Sequence, residues 1–261
     1  MKHILSLGAG VQSSTLALMF ARGELTPMPD CAIFSDVGAE PQPVYDYLEW
    51  LEKELPFPIH VVKYKEGLLD HVEVGIKEKK FIQVPFYDET GLGARQCTNM
   101  YKIQPINKKI RELCGYVPRQ RIKEVVATMY IGISYDEMQR MKDSREKWIK
   151  HSFPLIDRRM HRLDCKTWLK KHNYPEPPRS SCWFCPFRSQ KDWRDLKLND
   201  KESWDKAVDL DKRVRDTGSK GQKVYLHQTL KPLDEVDLST DVDRGQNVFD
   251  CLSECEGMCG L

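Results

Sequence analysis

The fold is decided by one short stretch near the amino terminus, which reads Ser6-Leu7-Gly8-Ala9-Gly10-Val11-Gln12-Ser13-Ser14-Thr15. The apolar run His3–Leu7 leads into it, and apolar residues recur at helical spacing over Ser13–Ala21. The stretch therefore joins a buried strand to a helix. Small residues let a backbone approach an anion closely, and the first N–H groups of a helix attract phosphate. We expect a phosphate-binding turn at the carboxyl end of the first strand.

Strands and helices continue to alternate beyond this turn. Cys31–Ser35 and Ile59–Tyr64 are predicted as buried strands, and Val44–Leu55 between them as a helix. Ile106–Leu113 predicts another helix, and Glu124–Ile133 predicts a strand that closes the sheet. Strand–helix–strand units of this length are typical of a parallel sheet, so we expect an α/β fold with helices on both faces of the sheet.

The sequence changes in character after residue 135. Charged residues become dense, a proline-rich loop follows, and no further buried strand is predicted. Helices are predicted over Met160–His172, with Asp157 as a candidate cap, and over Lys201–Arg215. We therefore expect a nucleotide-binding α/β domain over 1–135, and a smaller helical region over 136–261 that is first basic and then rich in cysteine.

Composition limits the class of protein. The chain has 261 residues, of which 40% are hydrophobic, and a net charge of +2, which is ordinary for a globular protein and indicates no particular partner. No run of about 18 apolar residues occurs, so we expect a cytoplasmic protein rather than a membrane or secreted one. The nine cysteines are odd in number, which argues against a disulfide scaffold and for metal binding or thiol chemistry.

The turn by itself leaves two interpretations open. It has neither a Walker lysine nor a Gly-x-Gly-x-x-Gly motif, so it is either another kind of phosphate cradle or a tight turn with serine caps. After the second predicted strand the chain reads Phe34-Ser35-Asp36-Val37-Gly38-Ala39-Glu40. The turn and this segment together resemble the PP-loop superfamily of adenine-nucleotide alpha hydrolases, and more closely its phosphoadenylyl-sulfate (PAPS) reductase branch.

Later motifs extend the resemblance over roughly residues 4–190. In the order of the family, the chain contains Arg95-Gln96-Cys97-Thr98, Gly132-Ile133-Ser134 and Ser181-Cys182-Trp183-Phe184-Cys185-Pro186. The family pattern Ser-Gly-Gly-x-Asp-Ser aligns with Ala9–Ser14. Ser13 therefore stands where the family has an aspartate that helps to organise magnesium and pyrophosphate.

The resemblance implies a bound adenine nucleotide, either ATP or PAPS or adenylyl sulfate (APS), together with Mg²⁺. Asp36 and Glu40 could supply carboxylates, or they cap the next helix, and Asp36 is also a candidate catalytic residue. Arg140 and Arg145 follow the last predicted strand and are candidates for anion contact. The nucleotide-binding candidates are Ser6, Gly8, Ala9, Gly10, Gln12, Ser13, Ser14, Thr15, Asp36, Glu40, Arg140 and Arg145.

The internal cysteines are candidate metal ligands. Cys182 and Cys185 form a Cys-x-x-Cys pair, and Cys97 lies upstream at a separation similar to that in cluster-bearing reductases of the family. The resemblance thus implies a 4Fe–4S cluster on these three residues, with Cys165 as the fourth ligand or with one open iron position. A zinc site and free redox thiols are the alternatives.

The chain ends with Glu254-Cys255-Glu256-Gly257-Met258-Cys259-Gly260-Leu261. This segment resembles the Glu-Cys-Gly-Leu-His tail of sulfonucleotide reductases, whose cysteine attacks the sulfur of the substrate, although the histidine is absent. Cys259 and Cys255 are therefore candidate nucleophiles, with sulfur relay and metal ligation as alternatives. A thiolate nucleophile needs cations nearby, which the acidic tail itself does not supply.

Two functions from different reaction classes are predicted. The first is an ATP-dependent iron–sulfur sulfurtransferase that modifies a base in tRNA or DNA, which the basic segment 140–162 would bind. The second is a PAPS or APS reductase that uses a tail cysteine and a thioredoxin-type reductant. A catalytically degenerate nucleotide-binding protein is a third interpretation. A sulfur donor and a homodimeric state complete the expected partners.

Overall fold

The computed structural model describes residues 1–65, 67–78, 82, 84–218 and 221–239. Within these ranges the strands are β1 (Lys2–Leu7), β2 (Cys31–Asp36), β3 (Ile59–Lys63), β4 (Tyr87–Asp88), β5 (Gly91–Leu92), β6 (Ala127–Ile131) and β7 (Ile149–Ser152). The α-helices are α1 (Val11–Ala21), α2 (Gln42–Glu54), α3 (Leu68–Glu78), α4 (Gln104–Leu113), α5 (Pro154–Asp157), α6 (Arg162–Lys171), α7 (Gln190–Asn199) and α8 (Lys201–Val214). None of the helices in these ranges is long and apolar enough to cross a membrane.

Five strands form one parallel sheet in the order β3-β2-β1-β6-β7. Ile4 pairs with Cys31 on one side of β1 and with Met129 on the other. The chain moves outward from β1 to β3 and then returns to the far side of β1 with β6. A crevice therefore opens between the carboxyl ends of β1 and β6, which is where ligands bind in open parallel sheets.

The two faces of the sheet are covered by different helices. On one face Leu5 and Phe34 pack with the apolar residues of α1 and α2 and with Leu169 of α6. On the other face Ile4 and Ile33 pack against Ile106 and Ile110 of α4. Strands that are buried on both sides read as continuous apolar runs, which is the pattern on which the prediction rested. The predicted parallel α/β fold with helices on both faces is confirmed.

Strand β7 was not predicted, because only one of its four residues is apolar and buried. It reads Ile149-Lys150-His151-Ser152, and it forms the edge of the sheet beside β6. Short edge strands with charged side chains are common, since charge on an exposed edge prevents pairing with other chains. The prediction that no further buried strand follows residue 135 did not include this edge strand, of which one residue is buried.

The described chain divides into two compact units that are discontinuous in sequence. The first comprises Met1–Asp36, Gln42–Tyr64 and Tyr101–Ser180, and it contains the whole parallel sheet. The second comprises Val37–Pro41, Lys65–Met100 and the described residues from Ser181 onward. The sequence instead predicts a single boundary at residue 135, and this domain division stays a prediction.

The second unit is organised around a buried carboxylate. Asp211 of α8 is fully buried and accepts hydrogen bonds from the backbone N–H groups of Leu226 and Leu233, at 2.8 and 3.1 Å. The guanidinium of Arg215 pairs with the same carboxylate and lies 3.8 Å from the centre of the Tyr225 ring. Because a buried charge needs such partners, Asp211 fixes the segment that follows α8.

Candidate functional site

The predicted phosphate turn lies at the carboxyl end of β1 and leads into α1. The Ser14 N–H is the first in the helix to find a backbone partner, the Gly10 carbonyl at 3.0 Å. The N–H groups of Val11, Gln12 and Ser13 are therefore the unsatisfied donors that every helix start leaves. They lie at the positive end of the helix dipole, where an anion is stabilised.

Ser13 stabilises the turn from inside. Its Oγ accepts a hydrogen bond from the Gly8 N–H at 3.2 Å and donates one to the Gly10 carbonyl at 3.3 Å. Ala9 between them is fully buried and adopts a left-handed conformation with φ of 56°, a region that L residues enter at some cost. The Ser13 hydroxyl thus bridges both ends of the turn.

Gly8 and Gly10 leave open space where a side chain would be. A Cβ on Gly8 would contact only Ser13 Oγ at 3.7 Å, and a Cβ on Gly10 only the Ser180 Cβ at 3.9 Å. Gly10 has an ordinary extended backbone with φ of −96°. The fold of the chain therefore does not require glycine at these positions, and the space above them is available to a ligand.

Gly132 is required by packing, and the sequence analysis assigned it no such role. A Cβ on this residue would lie 2.7 Å from both the N and the Cα of Ser13. Gly132 directly follows β6, so the carboxyl end of β6 rests against the first turn of α1. This contact fixes the position of the phosphate turn relative to the neighbouring strand.

Gln12 connects the turn to two arginines. Its Nε2 donates to Glu137 Oε2 at 3.0 Å and to Ser134 Oγ at 3.4 Å, and its Oε1 accepts from Arg162 Nη1 at 3.1 Å. Arg140 Nη1 donates to Glu137 Oε1 at 2.7 Å. We call these five residues the Gln12 network. It places two guanidinium groups beside the start of α1, and the Glu137 carboxylate holds Arg140 while the Gln12 amide oxygen holds Arg162.

Two of the predicted hydroxyl donors do not reach the surface of the turn. Ser14 and Thr15 are fully buried, and Thr15 Oγ1 donates to the Val11 carbonyl at 2.8 Å. The Ser14 hydroxyl faces the Tyr47 hydroxyl, although the two groups form no hydrogen bond of normal geometry. Burial raises the pKa of Tyr47 to about 12, and the Ser14 hydroxyl counters part of this rise.

The remaining predicted nucleotide-binding residues lie outside the turn between β1 and α1, in several parts of the fold. Ser6 is half-buried near the end of β1, and Asp36 ends the adjacent β2, where its carboxylate accepts a hydrogen bond from the Tyr45 hydroxyl at 2.8 Å. Glu40 is buried and belongs to the second unit. Arg145 precedes the turn into β7, at the amino end of the sheet, so the structure does not bring it to the phosphate turn.

Cys165 is part of the hydrophobic core. It is fully buried on α6, and burial raises the pKa of its thiol to about 12, although the Thr15 side chain counters this rise. Its place among the apolar side chains of the core accounts for this residue as a packing residue of α6. Asp157, the predicted cap of this helix, ends α5 instead, and the helix begins after His161.

Cys182 and Cys185 lie in an ordered loop of the second unit. The Cys185 N–H donates to the Cys182 carbonyl at 3.0 Å. The buried guanidinium of Arg188 donates to the carbonyls of Ser181 and Cys182 at 3.1–3.3 Å, and it lies over the Trp193 ring at 5.7 Å. Sequence reasoning did not single out Arg188, because its partners are backbone carbonyls.

The described residues lend no support to the predicted metal site. Across the described ranges, no group of three or more His, Cys, Asp or Glu side chains could hold a metal ion. Cys97 is half-buried in the second unit, but it does not complete such a group with Cys182 and Cys185. The described residues therefore give no support to a 4Fe–4S cluster, which stays a prediction. Cys255 and Cys259 lie outside the described residues.

Comparisons with known proteins add a likeness in fold. No family model matches the sequence, and no curated protein matches it significantly. The structure is similar to the crystal structure of phosphoadenylyl-sulfate (PAPS) reductase from Candida auris in a phosphate complex, with 15% sequence identity and a TM-score of 0.47. The similarity covers 68% of this chain and 75% of the other.

Proposed function

We propose that the protein is an enzyme that binds an adenine nucleotide, with the phosphate or sulfate groups of the nucleotide at the β1–α1 turn. The main support for this proposal is the open space above Gly8 and Gly10. The fold itself does not require glycine at either position, so the space is available to a ligand. The unsatisfied N–H groups of Val11, Gln12 and Ser13 supply donors for an anion at the same place.

The surroundings of the turn suit a polyanionic ligand. Arg140 and Arg162 lie beside the start of α1, and the Gln12 network holds them. The carboxyl end of β2 is adjacent, and Asp36 there provides an acceptor for ribose or base groups. Ser6 and Ser13 complete the polar lining of this end of the sheet.

The structural role of Ser13 favours sulfonucleotide reduction as the reaction at this site. Its hydroxyl is used to hold the turn, and a reductase needs the nucleotide to be bound without cleavage between its phosphates. In this proposal the thiolate of Cys259 or Cys255 attacks the sulfur of PAPS or APS, and the bond from that sulfur to the phosphate oxygen breaks. The nucleotide leaves, and a thioredoxin-type dithiol then releases sulfite and becomes a disulfide.

The second candidate function is an ATP-dependent sulfurtransferase. The ordered Cys182–Cys185 loop favours it, because Arg188 fixes the backbone that presents the two thiols. In that reaction ATP at the turn adenylates a base of tRNA or DNA, and the activated carbon accepts sulfur from a donor.

A titration calorimetry experiment tests the nucleotide site. We expect PAPS, APS, ATP or adenosine 3′,5′-bisphosphate to bind the wild type, and Gly10→Ala to weaken binding at least about tenfold because the new Cβ occupies the ligand's space. The stability of Gly10→Ala should change by at most about 1 kcal/mol, since its backbone is unstrained.

Gly115→Ala is the matched control for that experiment. Gly115 lies at the opposite end of the sheet with open space around it and a φ of +80°, so alanine strains the backbone there without touching the turn. The control should lose stability and keep nucleotide affinity. Unchanged nucleotide binding by Gly10→Ala, or no binding by the wild type, would contradict the proposed site.

Product analysis separates the two reactions. A reductase releases sulfite from PAPS or APS in the presence of thioredoxin, and truncation after Phe249 should abolish this while nucleotide binding persists. A sulfurtransferase instead releases AMP and pyrophosphate from ATP when a nucleic-acid acceptor is present. If the protein binds nucleotide but releases neither sulfite nor AMP and pyrophosphate, the third interpretation, a catalytically degenerate nucleotide-binding protein, would apply.

A further inference from the structure

The opposite end of the same sheet carries a second polar region that the nucleotide site does not use. The carboxyl half of α4, the loop behind it and the segment before β7 surround a cavity of about 650 Å³. Its walls include Asn107, Lys108, Arg111, Tyr116 and Trp148. A cavity of this volume accommodates a nucleotide-sized group.

The segments that border this cavity carry an excess of positive charge, although the walls themselves also include Glu112 and Glu146. Segments 108–123 and 142–148 together hold nine Lys and Arg and three Asp and Glu. Arg111 of the first segment lies over the Trp148 ring of the second, and Val126, just after the first segment, donates its N–H to the Trp148 carbonyl at 3.0 Å. Of the acids, Glu112 pairs with Lys109, and Glu146 accepts a hydrogen bond from Trp148 Nε1 at 2.7 Å.

Besides Lys142, six cations of these segments are exposed, and none forms an ion pair with any residue in the described ranges. We call them the basic patch. They are Lys108, Arg119, Arg121, Lys123, Arg145 and Lys147. Clustered like charges without partners repel one another, so the patch favours the binding of a polyanion.

Arg111 gives the cavity a planar wall. Its guanidinium lies 5.6 Å from the centre of the Trp148 ring. One of its nitrogens donates to the carbonyls of Val117 and Gln120, at 3.1 and 2.5 Å. The ring and the two carbonyls hold the guanidinium in one orientation at the cavity. A fixed guanidinium plane is a surface on which a nucleobase stacks.

We propose that the basic patch and the Arg111 cavity bind a single-stranded nucleic acid. Phosphates of the backbone contact the six cations, and one base enters the cavity against Arg111 and Tyr116. Positive charge beside a stacking surface is the combination that single-strand binding uses, and a flexible strand can place a base in a pocket that a stacked duplex cannot reach. The proposal does not depend on the nucleotide site.

The test measures binding of a fluorescent oligothymidylate of about 20 nucleotides at several salt concentrations. We expect the full-length wild type to bind, with affinity that falls steeply as salt rises. The triple variant Arg119→Ala, Arg121→Ala and Lys123→Ala should bind at least about tenfold more weakly at about 50 mM salt. Its slope of log K against log salt should be lower by about 2, because each phosphate contact on a single strand contributes about 0.7.

The matched control removes three cations of α8 that are paired. Lys201, Lys206 and Lys212 pair with Asp205, Glu202 and Asp234, so their replacement by alanine changes the net charge equally. The control should bind the oligonucleotide within about twofold of the wild type. An equal loss in both triple variants would show that net charge alone attracts DNA, and this would overturn the patch.

Further measurements test whether a base stacks on Arg111 and whether the patch prefers a single-stranded nucleic acid to other polyanions. Arg111→Lys keeps the charge and loses the plane, so we expect severalfold weaker binding of the oligonucleotide with an unchanged salt slope. Gly10→Ala should bind it normally, and the patch variant should bind nucleotide normally. Absence of oligonucleotide binding, or equally tight binding of polyglutamate, of a DNA duplex or of vesicles with phosphatidylserine, would overturn the proposal.

Discussion

At the carboxyl end of the sheet, the guanidinium groups of Arg140 and Arg162 are held by Glu137 and by Gln12. At the amino end, the six cations of the basic patch have no ion-pair partner within the described ranges. The first end is an ordered site around a small space, whereas the second is an open charged surface. Compensated charge orients groups for one ligand, and uncompensated charge attracts a large polyanion through long-range electrostatics.

The largest expected effect is that of Gly132→Ala on the carboxyl end. A Cβ there would lie 2.7 Å from the Ser13 backbone, so α1 or β6 must move. We predict a loss of about 1–3 kcal/mol in the free energy of unfolding, measured by urea denaturation, and loss of nucleotide binding with it.

Gly8→Ala is the control on the same turn, since its Cβ would meet only Ser13 Oγ at 3.7 Å. It should weaken nucleotide binding without a comparable loss of stability. Equal stability of Gly132→Ala and the wild type would break the comparison, because the carboxyl end would then lack the tight packing that distinguishes it from the open amino end.

The next effect concerns α6, which carries both Arg162 and the buried Cys165. The pKa of this thiol rises from 9.0 to about 12 in the folded chain, so the folded state binds the proton more tightly than the unfolded state. The stabilisation is complete below about pH 9 and is lost as the pH rises towards 12. Between pH 8 and pH 10 the wild type should lose about 1.4 kcal/mol of unfolding free energy relative to Cys165→Ala.

Denaturant titrations of both proteins at the two pH values measure this difference. A pH-independent difference between wild type and variant would mean that the thiol is not buried as described, and the packing of α6 against α1 would be in question. That packing positions Arg162 beside Gln12, so the result also tests the arrangement of the Gln12 network at the carboxyl end of the sheet.

The smallest effect is expected from the charge of Glu137. Glu137→Gln keeps one oxygen as acceptor for the hydrogen bond from Gln12 or from Arg140, and it removes the negative charge beside the turn. We expect nucleotide affinity to rise about threefold at low salt, because the arginines then act on the ligand without a competing carboxylate. Glu146→Gln at the amino end should leave nucleotide affinity unchanged, and equal effects of the two variants would contradict a distinction between the two ends.

The parts of the fold that depend on local sequence patterns could be predicted from the sequence. Buried strands β1 and β2 are apolar on both faces, and the glycines between β1 and α1 mark the turn, so the sheet and the position of the phosphate turn could be predicted. Strand β7 was missed because its residues are mostly polar and its pairing with β6 is a property of the assembled sheet.

The detailed arrangement of the site depends on contacts between distant residues. Gln12 and Arg162 are 150 positions apart in the sequence, and no local pattern relates them. The need for glycine at position 132 arises from the backbone of Ser13, which only the folded chain brings close. Ser14 carries a hydroxyl in the predicted turn, yet the helix directs it towards Tyr47 in the core.

The most direct test of the central claim follows backbone amide signals by NMR during titration with adenosine 3′,5′-bisphosphate. The account predicts that the largest shifts occur at Gly8, Ala9, Gly10 and the first turn of α1, with Gly115 and Tyr116 at the opposite end unchanged. Saturable shifts that are absent from the turn, or that centre on the Arg111 cavity, would contradict a nucleotide site at the carboxyl end of the sheet.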